Sequence, residues 1–87
     1  GTGSAVEMLK VLLKLIAEKH GVAAKIIATS DDLDQLAARG AEAETATLHG
    51  WRKEIFGDPA LKLIAGDIGL RFANKKIDLV DLVRPTE

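Results

Sequence analysis

The chain is short, lacks cysteine and carries nearly balanced charge: 87 residues, 12 lysine or arginine residues, 13 aspartate or glutamate residues and a net charge of −1. This length fits a single domain, which at this size buries about 60–65% of the surface that the unfolded chain exposes. The absence of cysteine excludes disulfides and thiolate metal sites, and the charge balance limits any nucleic-acid surface to a local patch. With no cleavable signal pattern and no apolar run long enough to span a bilayer, we expect a cytoplasmic protein without a membrane partner.

A first helix is predicted over residues 5–20. Ser4 and Glu7 have the spacing of a capping box, and Gly21 is typical of a left-handed helix stop. Apolar residues cover most of the circumference of this helix, so the other elements should surround it. Its predicted core residues include Leu12 and Ile16.

A second helix is predicted over residues 31–38, after a short apolar connector at residues 22–27. Residues 29–32 offer N-caps and negative charge for its first turn, Leu33 is expected in the core, and Gly40 ends the helix. Acidic first turns usually complement the helix dipole. A metal site is the disfavoured alternative, because no second group of carboxylates with suitable spacing is evident.

The third helix contains the only tryptophan of the chain. Residues 41–46 show no clear periodicity and are predicted to form a mobile acidic loop, after which Thr47 caps a helix that ends at Gly57. The three- and four-residue spacing of its apolar side chains predicts a core face made of Leu48, Trp51, Ile55 and Phe56. Asp58 and Pro59 form a second start signal, so a fourth helix over residues 59–65 should be sharply jointed to the third and end at Gly66.

The apolar period changes from helical to alternating after Asp67. Ile68, Leu70 and Phe72 alternate with other residues, residues 73–76 form a turn signal, and Ile77 and Leu79 alternate again. This pattern predicts a small terminal hairpin with its apolar face on the helices. We expect residues 1–4 to be an expression remnant or linker, residues 5–83 to form the domain, and residues 84–87 to be a tail.

No catalytic constellation is evident in the sequence. His20 and His49 are best explained as structural or exposed residues, and no nucleophile motif or phosphate loop accompanies them. A local basic patch is the candidate site for phosphate contact. Its residues are Arg52, Lys53, Lys62, Arg71, Lys75 and Lys76. The alternative for Arg52 is structural, with its guanidinium over an aromatic ring or paired with Glu54 or Asp58, and the alternative for the hairpin lysines is ordinary solvated charge.

Two segments of the chain resemble the C-terminal domain of bacterial ribonuclease D. The first is IIATSDDL at residues 26–33, and the second is LHGWRKEIFG at residues 48–57, in which Gly50, Trp51 and Arg52 form the more specific element. The resemblance covers about residues 5–82 and implies a divergent member of the helicase-and-RNase-D C-terminal (HRDC) fold. The expected fold is therefore mostly α: a small orthogonal, HRDC-like bundle of about four helices, with the short β-hairpin in place of a further helix.

The resemblance also implies a function. The full protein would be a 3′–5′ exoribonuclease that processes stable RNA such as tRNA precursors, with Mg²⁺ or Mn²⁺ held by acidic residues and a tyrosine of a separate nuclease domain. None of those motifs matches this sequence, so we expect no catalysis, no cofactor and no metal in this domain. We expect it to pack on the nuclease domain and on a preceding HRDC domain, and to bind RNA weakly. The alternative is a structural or protein-interaction module that docks on the nuclease domain or on a second copy, without RNA contact.

Overall fold

The computed structural model describes residues 3–82, which form helical segments followed by one antiparallel hairpin. The α-helical segments are α1 (Gly3–His20), α2 (Ala24–Ile27), α3 (Ser30–Arg39), α4 (Gly50–Arg52) and α5 (Asp58–Ala65), and the strands are β1 (Ile68–Ala73) and β2 (Lys76–Asp81). Two 3₁₀ turns, Gly40–Glu42 and Ala46–Leu48, follow α3, and a π-helical turn, Lys53–Gly57, joins α4 to α5. The predicted mostly α fold with a terminal hairpin is confirmed.

Helix α1 packs on the other helices through one face, and Met8 on it is 39% exposed, so the other elements surround this helix only in part. Its inner positions are buried against α2, α3 and the chain from α4 to α5, and the buried side chains are Leu9, Leu12, Leu13, Ile16 and Ala17. The helix starts at Gly3, so the predicted cap at Ser4 is wrong, because an N-cap has extended backbone whereas Ser4 lies within the helix. Residues 3 and 4, which were expected in a remnant or linker, have helical backbone. Residues 1–2, Val83 and the predicted tail 84–87 lie outside the described residues.

The connector predicted at residues 22–27 contains the short helix α2. A single turn is too short to show a helical period, which is why the pattern did not reveal it. After α2 the backbone is extended at Ala28 (φ −153°), and α3 then begins behind Thr29. Thr29 and Asp32 form a reciprocal capping box: the Thr29 amide donates to Asp32 Oδ2 (2.8 Å) and the Asp32 amide donates to Thr29 Oγ1 (3.2 Å).

The segment after α3, predicted as a mobile acidic loop, contains two 3₁₀ turns and is held to α3 by threonine hydroxyls. Thr45 and Thr47 are both buried, and the Thr45 hydroxyl donates to Asp32 Oδ1 (2.8 Å). Since that hydroxyl has a single proton, it accepts from the Thr47 hydroxyl (2.9 Å) and from the Thr47 amide (3.1 Å). Thr47 is thus an inner member of this network and does not cap the next helix. That helix begins after His49, which makes no side-chain cap.

The predicted joint between the third and fourth helices is wrong, because α4, the π turn and α5 form one continuous helix. Gly57 has helical backbone (φ −57°), and the Asp58 amide donates to the Lys53 carbonyl oxygen, five residues back. The widened turn directly precedes Pro59, whose ring would crowd the preceding turn of a regular α-helix. A Cβ on Gly57 would collide with the carbonyl oxygen of Thr47. Gly57 therefore permits close packing and does not end a helix.

The predicted turn at residues 73–76 is confirmed, and it is a two-residue turn. Asn74 (φ 53°) and Lys75 (φ 65°) both have left-handed backbone, as a type I′ turn requires. Phe72 pairs with Ile77, and Leu70 pairs with Leu79. The base of the hairpin packs on the helices through Ile68 and Leu70. At the far end Phe72 is exposed, so the prediction that the apolar face lies on the helices holds only for the base of the hairpin.

Candidate nucleic-acid interface

Arg52 is held in the structure by three interactions. Its Nε donates to the carbonyl oxygen of Ile26 (3.0 Å), and its guanidinium carbon lies 4.4 Å from the centroid of the Trp51 ring. Its positive charge also favours the ionised form of Asp32. The residue thus ties the start of the long helix to the end of α2, and only part of its hydrogen-bonding capacity is left for an external phosphate.

The Asp32 carboxylate is the centre of this region. Burial raises the pKa of Asp32 by desolvation, but the hydrogen bonds from the Thr29 amide and the Thr45 hydroxyl, with the charge of Arg52, outweigh that effect. The pKa of Asp32 therefore lies below its ordinary value. The acidic first turn of α3 is a structural anchor that links three segments of the chain.

Trp51 is 45% exposed, so its predicted place in the core is wrong. The expected face assumed one helix from Leu48 onward, whereas Leu48 belongs to a 3₁₀ turn and the helix starts only at Gly50. Phe56 is completely buried, and Leu48 and Ile55 are partly buried against the core. Leu12, Ile16 and Leu33 are buried. Phe56, and not Trp51, is the aromatic anchor of the fold.

Two of the predicted phosphate contacts are engaged with carboxylates. Lys53 Nζ lies 2.9 Å from Asp58 Oδ1. Arg71 makes a two-pronged contact with Asp78 across the hairpin, from Nε to Oδ1 (3.2 Å) and from Nη2 to Oδ2 (2.9 Å). The hydrogen bond from Arg71 lowers the pKa of Asp78, and the same contact raises the pKa of Arg71. These exposed pairs fix local geometry and leave less positive charge for a ligand.

Lys62 lies in an acidic environment. It is exposed on α5 and lines a shallow depression of about 440 Å³ together with Glu54, Asp58 and Asp81. Three carboxylates around one ammonium group make this surface unfavourable for a phosphate. Lys62 is therefore a weaker candidate than the sequence indicates.

Lys75 and Lys76 are the predicted cations that the structure brings together. They line a cleft of about 650 Å³ between α1 and the hairpin, and Lys14 and Lys19 of α1 line the same cleft. We refer to this space as the α1–hairpin cleft. Lys14 and Lys19 were missed because only the tertiary structure brings them to the same cleft as the hairpin turn. The available signal was the position of Lys14 on the polar stripe of α1.

The described residues contain neither a metal-binding cluster nor a membrane-spanning helix. Within residues 3–82, no group of three or more histidine, aspartate or glutamate side chains is arranged to hold a metal ion. Among the same residues, no helix has the length and apolar character needed to cross a membrane. The α1–hairpin cleft is thus the most developed cationic site in the described part of the chain.

Known proteins give a consistent similarity over most of the chain. The chain is 46% identical over 82 residues to a ribonuclease D of Bartonella henselae, and the aligned region covers 93% of this chain and 20% of the relative. It is 45% identical over 78 residues to a ribonuclease D of Nitrobacter hamburgensis (90% of this chain, 20% of the relative) and 47% identical over 75 residues to one of Granulibacter bethesdensis (86% and 19%). The chain thus spans about a fifth of the length of these curated relatives. No family model matches it, and no solved structure gives a significant match.

Proposed function

We propose that this chain, which is homologous to one part of bacterial ribonuclease D, is a non-catalytic accessory domain of a 3′–5′ exoribonuclease that helps to position RNA and packs on the nuclease domain. The observation that carries the proposal is the extent of the match, which covers nearly the whole chain but only a fifth of each relative. The chemistry is then assigned to the part of the parent protein outside the match. There, acidic residues of a nuclease domain would hold Mg²⁺ or Mn²⁺.

The hydrogen bonds and ion pairs that several carboxylates make support a non-catalytic role. Metal-dependent phosphodiester cleavage needs carboxylates that converge on an ion. In this chain the Asp32 carboxylate closes a capping box and accepts from Thr45, while Asp58 and Asp78 pair with Lys53 and Arg71. These groups stabilise the fold, which is the role expected of a domain that assists catalysis performed elsewhere.

A weak RNA contact is supported by the local distribution of charge. The net charge of −1 gives no general attraction to a polyanion. The lysines of the α1–hairpin cleft nevertheless form a local positive surface. A domain of this kind would not capture RNA alone but would guide RNA that the parent enzyme already holds.

Exposed apolar side chains favour a second candidate function, in which the domain only packs on other protein. Ile26 is 49% exposed and Trp51 is 45% exposed, and Arg52 joins the two by contacting both residues. Covering such side chains contributes about 25 cal/mol per Å² of apolar surface removed from water. The nuclease domain, a preceding HRDC domain or a second copy could supply that cover without any RNA contact.

A salt titration of RNA binding distinguishes the two candidates. Fluorescence anisotropy would be measured with labelled single-stranded RNA and with a tRNA precursor, and we expect binding at low salt that weakens as salt rises. Reversing the charge of Lys75 and Lys76 should weaken it further. No binding at low salt, or binding that is indifferent to salt and to these reversals, refutes the RNA role and favours the packing role. The same samples incubated with Mg²⁺ or Mn²⁺ should leave the RNA intact.

A further inference from the structure

The α1–hairpin cleft combines an open aromatic ring with cations. Phe72 lies at the far end of β1 and is 73% exposed, although Ile68 on the same face of the strand is 8% exposed. Leaving a ring of this size in water forgoes about 1.5–3 kcal/mol of burial. Phe72 also lines the α1–hairpin cleft, so the exposed ring and the lysines border the same space.

The lysines of the cleft are not neutralised by the fold. Elsewhere Lys10, Lys53 and Arg71 each pair with a carboxylate. Within residues 3–82, by contrast, Lys14, Lys19, Lys75 and Lys76 have no carboxylate within ion-pair distance. Glu18 lines the same cleft, so the local balance is four positive groups against one negative group. The excess charge is complementary to a polyanion.

We propose that the α1–hairpin cleft is a single-stranded RNA site in which an unpaired base stacks on Phe72 and the adjoining phosphates contact Lys14, Lys19, Lys75 and Lys76. This inference rests on the proposed function and gives it a location. Bases stack on exposed aromatic rings without sequence preference, and lysines beside the ring follow the backbone. A duplex offers no free base face to Phe72, so the site selects single strands.

The position of the cations supports one continuous path. Lys75 lies in the hairpin turn and Lys76 directly follows it, whereas Lys14 and Lys19 lie on α1 across the cleft. A strand between the two elements would therefore meet positive charge on both sides of the base that stacks on Phe72. Arg52, Lys53 and Arg71 do not line this cleft, and each makes a hydrogen bond elsewhere in the fold.

The test measures the binding of labelled oligouridylate to the 87-residue chain by fluorescence anisotropy at several salt concentrations. Phe72→Ala should weaken binding about 5- to 150-fold, the effect of losing one stacked base. Lys14→Glu and Lys75→Glu should each weaken binding, and each lost phosphate contact should reduce the log–log salt slope by about 0.7. Two variants are matched controls. Lys25→Glu makes the same charge change at an exposed position on α2, and Trp51→Ala removes the other exposed aromatic ring.

A conservative replacement provides a direct optical reading. In a Trp51→Phe background, Phe72→Trp should retain RNA binding, and the emission of the new indole should be quenched when RNA is added. Unchanged emission on binding, or Phe72→Ala that binds like the wild type, overturns the stacking site. Equal losses from Lys25→Glu and from the cleft variants overturn the location.

The outcomes also separate this inference from the proposed function. If the wild type binds RNA in a salt-dependent manner while every cleft variant behaves like its control, the cleft assignment fails and the RNA role stands. If the wild type does not bind RNA at low salt, both the cleft assignment and the RNA role fail, and the packing role is favoured.

Discussion

The close approach of Gly57 to Thr47 predicts that a single added methyl group destabilises the domain. Gly57 has helical backbone, where alanine is intrinsically favoured by about 1 kcal/mol. A Cβ there would collide with the Thr47 carbonyl oxygen and lie 3.3 Å from Leu48 Cδ2. The Thr47 carbonyl cannot easily move away, because the Thr47 hydroxyl and amide are both hydrogen-bonded to the Thr45 hydroxyl. Overpacking of this kind costs about 1–3 kcal/mol or more, and against rigid backbone we expect the upper part of that range.

The expected net effect of Gly57→Ala is a loss of about 1–2 kcal/mol in the free energy of unfolding, after the gain in helix propensity is subtracted. Urea unfolding followed by far-UV circular dichroism measures it. Gly3→Ala is the control, because Gly3 is helical and has nothing within 4 Å of its added Cβ, so it should be neutral or slightly stabilising. A Gly57→Ala variant as stable as the wild type would show that the helix can move away from Thr47, and that Gly57 is not required for packing.

The remaining predictions concern Phe56, Trp51, Asp32 and Arg52. Phe56→Ala should lower the free energy of unfolding by about 3–5 kcal/mol because the ring is completely buried. Trp51→Ala should lower it by less than about 2 kcal/mol because that ring is 45% exposed. Equal losses in urea unfolding would contradict the assigned core. Asp32→Asn should cost about 1–2 kcal/mol at neutral pH. The folded-state pKa of Asp32 is lowered from 3.8, so the loss of stability in Asp32→Asn should be complete above pH 3.8 and should vanish as the pH falls through the folded-state pKa. A difference in stability that does not depend on pH would contradict this prediction. Arg52→Met should cost about 1 kcal/mol through the lost hydrogen bond to Ile26, and an unchanged thermal midpoint would show that this bond is dispensable.

Features that depend on neighbouring residues could be predicted from the sequence. The first turn of α3 is capped as expected, α5 ends at Gly66 with left-handed backbone (φ 83°), and the hairpin turn lies between the predicted strands. In each case a local steric or hydrogen-bonding demand selects the residue. Such demands act over a few positions, so a single sequence is enough to recognise them.

Features that depend on distant contacts could not be predicted. Gly57 has the same sequence signature as a helix stop, and only the position of Thr47 reveals its packing role. The loop before α4 is held to α3 because the Thr45 hydroxyl donates a hydrogen bond to Asp32, thirteen residues earlier. Of the predicted basic patch, only Lys75 and Lys76 line the α1–hairpin cleft, and their partners Lys14 and Lys19 belong to the opposite end of the chain.

The network around Asp32 has a consequence for the local dynamics of the domain. One carboxylate accepts from the Thr29 amide and from the Thr45 hydroxyl, and that hydroxyl in turn accepts from the Thr47 amide. The first turn of α3 and the loop before α4 should therefore open together and not fray separately. In native-state hydrogen exchange, the amides of Thr29 and Thr47 should share one opening free energy, and Asp32→Asn should speed both by the same factor. Through this single acid, the start of one helix and the approach to the next behave as one cooperative unit.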